Sequence, residues 1–525
     1  MIASLLLAVS IVAQEPGYVT SMANHLQRWL AGERIAAQVV ARQAMPAALA
    51  REKIAFLVGF DTLTTAEIKT LQAFRARGGK LVVFNSGSKA LGAMMGVRPV
   101  GFRKEAYPGE WSRMDFVAAR PAGAPAAIRQ TSAALNRAVP IEGQGRVLAR
   151  WVDRTGRSSG EAAWIASSAG YWMTHLLQAD GDEALKARLL GALVGSVVPS
   201  LWNAQAAAAR ESQKSAALRA YAAKQVPRSG EIRAVWDHSG TGLYPGDWPR
   251  TMQVLANAHV TDVFVNVAGA GFAHYPSAAL PVSWTCRRSG DQLAAALAAA
   301  KGRGIRVHAW VLCFTATRGT PEEVAACRTR GWCLKNAAGA YTEYLNPANP
   351  AVQGRVLSAI GEIATRYPVQ GVHLDFVRWA DGVTKPRDAA MAVTRFVAAA
   401  RQRVKRPMWL TAAVYGKYPH CISSVGQDWG SWVDGGLVDY AVPMDYTNST
   451  AEFAELVARG AATPYRARRI IAGIGVTANE SRLDAAKVID QINVARRYNL
   501  AGVSLFDLDV TLQTEILPYL RLGIW

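Results

Sequence analysis

The stretch GVHLDFVRWAD (371–381) shows how the second half of the chain is built. It begins with a short apolar run of Val, Leu and Phe, which is typical of a buried strand. A helical pattern, VLSAIGEIATRY (356–367), precedes it, and a polar loop follows it. The run carries one carboxylate, Asp375. Because burying an unpaired carboxylate is costly, Asp375 is expected either at the exposed end of the strand or in a functional site.

The same pairing of a strand with a helix recurs eight times from Glu231 onward. The strand candidates are IRAVWD (232–237), DVFVNVAG (262–269), IRVHAWVLCF (305–314), GVHLDF (371–376), MWLTAAVYG (408–416), VDYAVPMDYT (438–447), RIIAGIGV (469–476) and GVSLFDLD (502–509). A TIM barrel, (β/α)8, has eight such units and takes about 250 residues plus insertions. The pattern therefore predicts a TIM barrel over residues 231–525.

The first half of the chain has a different pattern. Two strand candidates, KIAFLVGF (53–60) and KLVVFNSG (80–87), flank the helical TAEIKTLQAFRARGG (65–79), which predicts a βαβ unit of a parallel sheet. This pattern resembles the flavodoxin-like domain related to class I glutamine amidotransferases. A working amidotransferase needs a nucleophilic cysteine, and no cysteine precedes Cys286. We therefore expect a catalytically silent accessory domain.

Length and charge limit the remaining classes. At 525 residues the chain is long enough for two domains. We expect a signal peptide at 1–13, the flavodoxin-like domain at 15–205, a helical linker at 206–230 and the barrel at 231–525. The chain has 59 Lys and Arg against 39 Asp and Glu, a net charge of +20, but these basic residues are scattered. Scattered charge does not favour nucleic acid as a partner.

The amino-terminal MIASLLLAVSIVA (1–13) has the length and apolarity of a signal-peptide core, with small residues at its end. It predicts export to the periplasm or the extracellular space. No later segment is long and uncharged enough to predict a membrane span. Cys327 and Cys333 would form a disulfide in an oxidising compartment or remain free thiols; the spacing leaves both open. No Cys/His spacing predicts a metal site, and no cofactor is expected.

The ends of the predicted barrel strands collect carboxylates and aromatic rings, which is where TIM barrels hold catalytic groups. Hydrolysis of a glycosidic bond needs two carboxyl groups, one ionised and one protonated. We expect Asp375 after strand four and Asp445 after strand six to be this catalytic pair. The predicted substrate-binding residues are Trp236, Asp237, Asn266, His308, Trp310, Arg378, Trp379, Tyr415, Tyr446 and Asp507. Asp237 and Asp507 are the alternatives to Asp445 as the acid.

Several motifs then resemble one family in order along residues 231–510. They are IRAVWD, GIRVHAWVLCF, YLNPANPAVQ, GVHLDFVRW and QDWGSWVDGGLVDYAVPMDYT. Together they are similar to the bacterial family 10 glycosyl-hydrolase-like proteins, and this resemblance implies a barrel that acts on a polysaccharide, such as peptidoglycan glycan strands. The chain departs from the family at two points. Trp379-Ala380 replaces the usual proline, and Asp445 stands where Asn or Ser is common.

Three other classes compete with a glycoside hydrolase. A non-catalytic carbohydrate-binding protein on a degenerate barrel is the main alternative. A phosphate-handling barrel predicts a Gly-rich loop after strands seven and eight, of which GIGVTANES (473–481) is a weak version. A metal-dependent deacetylase needs clustered ligands, whereas the eight histidines are scattered.

Overall fold

A computed structural model describes residues 9–13, 17–107, 109–153, 156–179 and 182–525. The chain divides into two compact units, Met1–Ser215 and Ala216–Trp525. The division falls inside one helix, Ala204–Ala223, in the segment predicted as a linker.

The first unit is an α/β domain. Its described strands are β1 (Val9–Ala13), β2 (Ala37–Ala41), β3 (Ile54–Val58), β4 (Lys80–Phe84), β5 (Val97–Lys104), β6 (Trp111–Phe116), β7 (Ala127–Ser132), β8 (Ala134–Pro140), β9 (Gly145–Val152), β10 (Ser158–Ser167) and β11 (Gly170–Met173). Its described α-helices are α1 (Tyr18–Gly32), α2 (Met45–Leu49), α3 (Thr65–Ala76), α4 (Lys89–Met94) and α5 (Glu183–Gly195), followed by α6 (Ala204–Ala223) at the division.

Five strands of this unit pair in parallel in the order β2-β1-β3-β4-β11. This is the 2-1-3-4-5 order of flavodoxin-like domains, with residues 97–167 inserted between the fourth and fifth strands. Strands β10, β9, β6 and β7 continue the same sheet in antiparallel fashion. The predicted βαβ unit is β3-α3-β4, and a capping box formed by Thr64 and Glu67 begins its helix. The predicted flavodoxin-like fold is therefore confirmed.

The predicted signal peptide overlaps the first strand of this sheet. Residues 1–8 lie outside the described residues, but Val9–Ala13 form β1, which is buried between β2 and β3. Ser10 is fully buried and donates a hydrogen bond to Glu52 at 3.3 Å. Cleavage after Ala13 would remove β1 and leave two strands without their partner. The domain boundary at residue 15 is corrected accordingly: the domain includes residues 9–13.

The second unit contains the barrel. Its strands are β12 (Ile232–Asp237), β13 (Asp262–Gly269), β14 (Phe272–Ala273), β15 (Arg306–Leu312), β16 (Cys333–Lys335), β17 (Tyr341–Leu345), β18 (Gly371–Asp375), β19 (Trp409–Tyr415), β20 (Tyr440–Met444), β21 (Ile471–Gly475) and β22 (Gly502–Phe506). Its helices are α7 (Trp248–Asn257), α8 (Trp284–Ser289), α9 (Gln292–Ala300), α10 (Pro321–Thr329), α11 (Pro350–Arg366), α12 (Ala389–Arg403), α13 (His420–Val425), α14 (Trp429–Asp434), α15 (Thr450–Gly460), α16 (Pro464–Ala467), α17 (Ala485–Arg497) and α18 (Leu517–Leu520).

Eight of these strands form a closed parallel barrel in the order β12-β13-β15-β18-β19-β20-β21-β22, and β22 pairs again with β12. Each is one of the eight predicted strands, so the predicted TIM barrel is confirmed. The helices pack outside on a large apolar core. A smaller core fills the interior, and it includes Trp236, Phe264 and Trp310. A Cβ at Gly473 would lie 2.9 Å from the Trp236 ring, so a glycine there makes room for the indole.

Two further predictions concern single features of the chain. All five cysteines, including Cys327 and Cys333, are buried and free. Among the described residues, no helix combines the length and the apolarity that crossing a membrane requires.

Candidate active site

The carboxyl ends of the barrel strands surround a cavity of about 420 Å³. TIM-barrel enzymes hold their catalytic groups at this end. The side chains around this barrel cavity include three carboxylates, five aromatic rings and one arginine. The residues that line it are Trp236, His238, Trp310, Leu312, Asp375, Phe376, Arg378, Ala413, Met444, Tyr446, Thr477, Ala478, Asn479, Glu480, Phe506 and Asp507.

Asp375 ends strand β18 and is only 5% exposed. Its Oδ2 accepts a hydrogen bond from the Trp310 indole N–H at 3.1 Å, and its Oδ1 accepts one from the Phe376 backbone N–H at 2.5 Å. Both partners can only donate, so they favour a carboxylate without a proton. Burial nevertheless raises the pKa of Asp375, and the Arg378 guanidinium works in the opposite direction.

Arg378 is held beside this carboxylate by two aromatic rings. Its guanidinium carbon lies 4.3 Å from the ring centre of Phe376 and 4.6 Å from that of Tyr415. Its Nη1 is 4.0 Å from Asp375 Oδ1 and, within the described chain, has no hydrogen-bond partner. The guanidinium therefore supplies positive charge to Asp375 and retains a free donor at the cavity.

Asp507 follows strand β22 and is the second aspartate of the cavity. Its side chain is 24% exposed, and its Oδ1 accepts a hydrogen bond from the His238 backbone N–H at 3.1 Å. Burial, with the negative charge of Asp237 nearby, raises the pKa of Asp507 to about 7. Burial and Arg318 lower the pKa of His238 to about 4, so the imidazole beside Asp507 is neutral at pH 7. Asp507 thus keeps a proton near neutral pH, as a general acid requires.

The floor of the cavity is formed by a hydrogen-bonded Trp–His–Thr chain. The Trp236 indole N–H donates to His373 Nε2 at 2.9 Å, and His373 Nδ1 lies 2.8 Å from the Thr411 hydroxyl. Because an indole can only donate, Nε2 carries no proton and Nδ1 donates to Thr411. Burial lowers the pKa of His373, which agrees with a neutral ring. This chain fixes the Trp236 ring under the cavity.

Asp445, the predicted partner of Asp375, does not line the cavity. Its neighbours Met444 and Tyr446 do. The Asp445 carboxylate is 1% exposed, and its Oδ1 lies 2.0 Å from where a Cβ at Gly416 would be. Within the described residues Oδ1 accepts no hydrogen bond, and burial raises the pKa of Asp445 well above its usual value. The structure therefore does not bring Asp445 into the cavity that Asp375 lines, and the catalytic pairing of the two stays a prediction.

Asp237 and Asn266 support the first barrel loop and do not line the cavity. Asp237 is fully buried and accepts hydrogen bonds from the Ser239 hydroxyl at 2.6 Å and the Gly242 N–H at 3.0 Å. Asn266 is also buried, and its amide donates to the carbonyl of His238 at 3.4 Å. Both predicted binding residues therefore act by holding the loop that carries His238.

His308 lies too far down its strand to reach substrate. Its Nε2 is 2.8 Å from Asp262, the first residue of β13, and Asp262 also accepts hydrogen bonds from Arg306. This ion-paired group closes the amino end of the barrel. His308 is thus not among the residues that line the cavity, where it was predicted to bind substrate.

Trp379 and Tyr415, both predicted to bind substrate, also lie outside the cavity lining. The Trp379 indole is 3% exposed and donates to the carbonyl of Ala389 at 3.1 Å, which packs it under the loop after β18. The Tyr415 hydroxyl donates to Asp381, and its ring stacks on Arg378. Tyr415 therefore acts on the cavity through Arg378.

The structure adds cavity residues that the sequence prediction missed. Phe376 and Phe506 stand beside the predicted Asp375 and Asp507, and Asn479 and Glu480 come from the loop after β21. A hydrogen bond holds that loop in place: the Ser481 hydroxyl donates to the Gly475 carbonyl at 2.5 Å. In the sequence, the polar run TANES (477–481) directly after a buried strand could have indicated Asn479 and Glu480 as site residues. No group of His, Cys, Asp or Glu in the described chain has the arrangement of a metal site.

The closed barrel, with carboxylates and aromatic rings at its carboxyl end, defines a TIM-barrel protein with an enzyme-like site. Residues 231–380 match the model of the family "Glycosyl hydrolase-like 10", which covers the first four barrel strands and confirms the resemblance there. The match and the barrel together support a carbohydrate-active TIM-barrel protein. No curated protein sequence matches the chain.

Several solved structures are similar to the chain. The PgaB glycoside hydrolase domain from Bordetella bronchiseptica is 13% identical, with a TM-score of 0.42, over 53% of this chain and 94% of that one. An alpha-L-fucosidase from Paenibacillus thiaminolyticus is 14% identical, with a TM-score of 0.40, over 56% and 48%. A chitinase from Rhizomucor miehei is 13% identical, with a TM-score of 0.37, over 55% and 98%.

Proposed function

We propose that the chain is an exported glycoside hydrolase that cleaves glycosidic bonds of a polysaccharide at the barrel cavity. The observation that carries the proposal is the joint lining of one cavity by two aspartates whose surroundings differ. N–H donors and a guanidinium surround Asp375, whereas Asp507 has a pKa of about 7. A pair of titratable groups with such different surroundings is what acid and base roles in one site require.

The aromatic lining fits a sugar ring. Five aromatic side chains contribute to the cavity: Trp236, Trp310, Phe376, Tyr446 and Phe506. Aromatic faces pack on apolar C–H surfaces, and the polar groups placed among them fix the orientation of a ligand. A sugar offers both kinds of surface, whereas a purely apolar ligand would form no hydrogen bond with the carboxylates of the cavity.

The two aspartates divide the reaction between them. Asp507, as the acid, protonates the glycosidic oxygen so that the leaving sugar departs as a neutral alcohol. Asp375, as the carboxylate, stabilises the positive charge that develops at the anomeric carbon. Water supplies the hydroxyl of the new reducing end, and its remaining proton restores Asp507. Burial raises the pKa of Asp507 to about 7, so a part of it is protonated near neutral pH. The N–H donors and the Arg378 guanidinium favour the ionised form of Asp375.

The proposal is tested by mass spectrometry of the products. The purified chain and its Asp375→Asn variant are incubated with peptide-free peptidoglycan glycan strands and with a panel of plant and bacterial polysaccharides. We expect the wild type to release defined oligosaccharides from one polymer, and the variant to release none under the same conditions. Asp445→Asn is the matched control, because it makes the same chemical change at a strand end that does not line the cavity.

The outcomes separate the enzyme from the alternative of a non-catalytic binding protein. Loss of products in Asp375→Asn with full activity in Asp445→Asn supports the hydrolase. A wild type that binds one polymer and releases nothing from it contradicts the hydrolase and supports the binding protein. Export is tested separately, by locating the chain in cell fractions.

A further inference from the structure

A second cavity, of about 570 Å³, lies at the opposite end of the barrel. It is formed by the segment before β12, the connection from α15 through α16 to β21, and the end of α17 before β22. Strands β21, β22 and β12 are neighbours in the barrel. The closed barrel therefore brings these three segments together at the amino ends of adjacent strands.

This basic cavity contains three arginines, Arg228, Arg468 and Arg497, and no Asp or Glu lines it. Arg228 donates to the carbonyl of Leu500 at 3.1 Å. In the described part of the chain, the guanidinium groups of Arg468 and Arg497 contact no carboxylate and no carbonyl. Like charges around one cavity repel each other, and a bound anion removes that repulsion.

The neighbouring arginine shows what an internally satisfied guanidinium looks like in this region. Arg496 makes two hydrogen bonds to Glu231, at 2.8 and 2.6 Å, and further bonds to backbone carbonyls. The next residue, Arg497, has no such partner and faces the basic cavity. Arg497 and Arg468 are exposed, so their guanidinium donors are accessible to a ligand in the cavity.

We propose that the basic cavity binds a phosphate group, either free or carried by a sugar. The guanidinium fork of arginine matches a phosphate with two parallel hydrogen bonds. The volume lies in the range of small-molecule sites, and the lining also offers Tyr498, which is 38% exposed, and Asn499. A ring and an amide beside the arginines suit a sugar attached to the phosphate.

This site is distinct from the barrel cavity. TIM-barrel active sites, including their common phosphate loops, lie at the carboxyl ends of the strands, whereas the basic cavity lies at the amino ends of β21, β22 and β12. The proposal therefore holds whether or not the chain hydrolyses a glycan. Asp375→Asn is expected to bind phosphate as the wild type does.

Calorimetric titration of the full chain tests the site with three probes: inorganic phosphate, glucose 6-phosphate and glucose. The test variant is Arg468→Gln/Arg497→Gln. The matched control is Arg403→Gln/Lys405→Gln, which also removes two exposed positive charges but changes no residue of the cavity. We expect both phosphates to bind the wild type and the control, and to bind the test variant about tenfold or more weakly. The single variant Arg468→Gln should show an intermediate loss.

The probes also identify the source of the phosphate. Tighter binding of glucose 6-phosphate than of inorganic phosphate assigns the site to a phosphorylated sugar, and equal binding assigns it to free phosphate. Absence of phosphate binding to the wild type, or equal weakening in the test and control variants, overturns the proposal, because charge alone would then explain the interaction.

Discussion

The carboxyl ends of β18 and β20 look alike in the sequence and differ in the barrel. Each is a buried apolar run that leads into an aspartate, Asp375 in one case and Asp445 in the other. Asp375 lines the barrel cavity between Trp310 and Arg378. Asp445 is buried beside Gly416, outside the cavity. Two aspartates with the same sequence context therefore have different chemistry.

The alternation of side chains along a strand explains the difference. Successive residues of a strand point to opposite faces. In β18 the apolar Val372 and Leu374 belong to the core under the helices, so Asp375 points into the barrel. In β20 the interior position is Val442, so Met444 follows it inward and Asp445 points out. In β18 and β20, the face of the strand separates the carboxylate that lines the cavity from the one that does not.

Among the substitutions that test this comparison, Asp507→Asn is expected to cause the largest loss of activity. If Asp507 is the acid that Asp445 was expected to be, the substitution lowers kcat/KM by about 10²–10⁴-fold. In the wild type, kcat/KM should fall as pH rises through about 7, because Asp507 then loses its proton. This alkaline limb should vanish from the residual activity of Asp507→Asn and persist in Asp445→Asn.

A substrate whose leaving group departs without being protonated serves as the control for that experiment. A nitrophenyl glycoside of the sugar identified from the products should lose much less rate in Asp507→Asn than the natural polymer does. Equal losses on both substrates, or an alkaline limb that disappears in Asp445→Asn, would show that Asp507 is not the acid.

The next effect concerns the donor that holds Asp375. Trp310→Phe keeps a ring in the cavity and removes the N–H that Asp375 Oδ2 accepts. A hydrogen bond to a charged group contributes about 1.5–3 kcal/mol, so we expect kcat to fall by about 10–100-fold. The acidic limb of the pH profile should also move to higher pH, because this bond lowers the pKa of Asp375.

Trp379→Phe is the matched control for that substitution. It also deletes an indole N–H, but Trp379 donates to the backbone of Ala389 outside the cavity. The control should lose about 1 kcal/mol of stability and keep its pH profile. A shifted profile in Trp379→Phe would mean that loop packing, and not the bond to Asp375, controls the protonation of the site.

The fold could be predicted from the sequence because each barrel strand is covered on both faces. Buried parallel strands are near-continuous apolar runs, and the helices between them carry amphipathic patterns. The same property limits the prediction at the amino terminus. The run VSIVA (9–13) is apolar whether it is the core of a signal peptide or a buried strand, and its length does not separate the two.

The sequence predicted cavity residues both within strands, such as Trp236 and Trp310, and just after them. Those that follow a strand are Arg378, Tyr446 and Asp507. Trp236 points inward, so alternation would also have excluded Asp237, and the same rule applies to Asp445. Other positions depend on tertiary contacts that no local pattern carries. Trp379 is turned under its loop by the carbonyl of Ala389, and Glu480 reaches the cavity on a loop held by Ser481.

A smaller effect tests the outward position of Asp445 directly. A Cβ at position 416 would lie 2.0 Å from Asp445 Oδ1, so Gly416→Ala forces the two apart. We expect a loss of about 1–3 kcal/mol in the free energy of unfolding, as for other overpacked sites. The loss should shrink in an Asp445→Ala background, which removes the oxygen. Denaturant unfolding of the wild type, the two single variants and the double variant measures the coupling.

Gly354→Ala serves as the control for the added methyl group. Gly354 lies within α11, where a Cβ would meet nothing within 4 Å. Alanine at that position should be neutral or stabilise the chain by up to about 1 kcal/mol. A Gly416→Ala variant as stable as Gly354→Ala would contradict the placement of Asp445.

The smallest effect is expected from Asp445→Asn, through the pH dependence of stability. Burial raises the pKa of Asp445 in the folded chain, so the folded state holds its proton more tightly than the unfolded state does. Its contribution to stability is then complete below the unfolded pKa of about 4 and is lost as pH rises through the raised folded value. Asparagine cannot ionise, so the variant avoids this loss.

We expect the two chains to unfold at similar denaturant concentrations near pH 4, and the variant to be more stable by about 1–2 kcal/mol at pH 8. A variant that is less stable than the wild type at pH 8 would mean that Asp445 is ionised and paired in the folded chain, and the contrast between the two strand ends would fail.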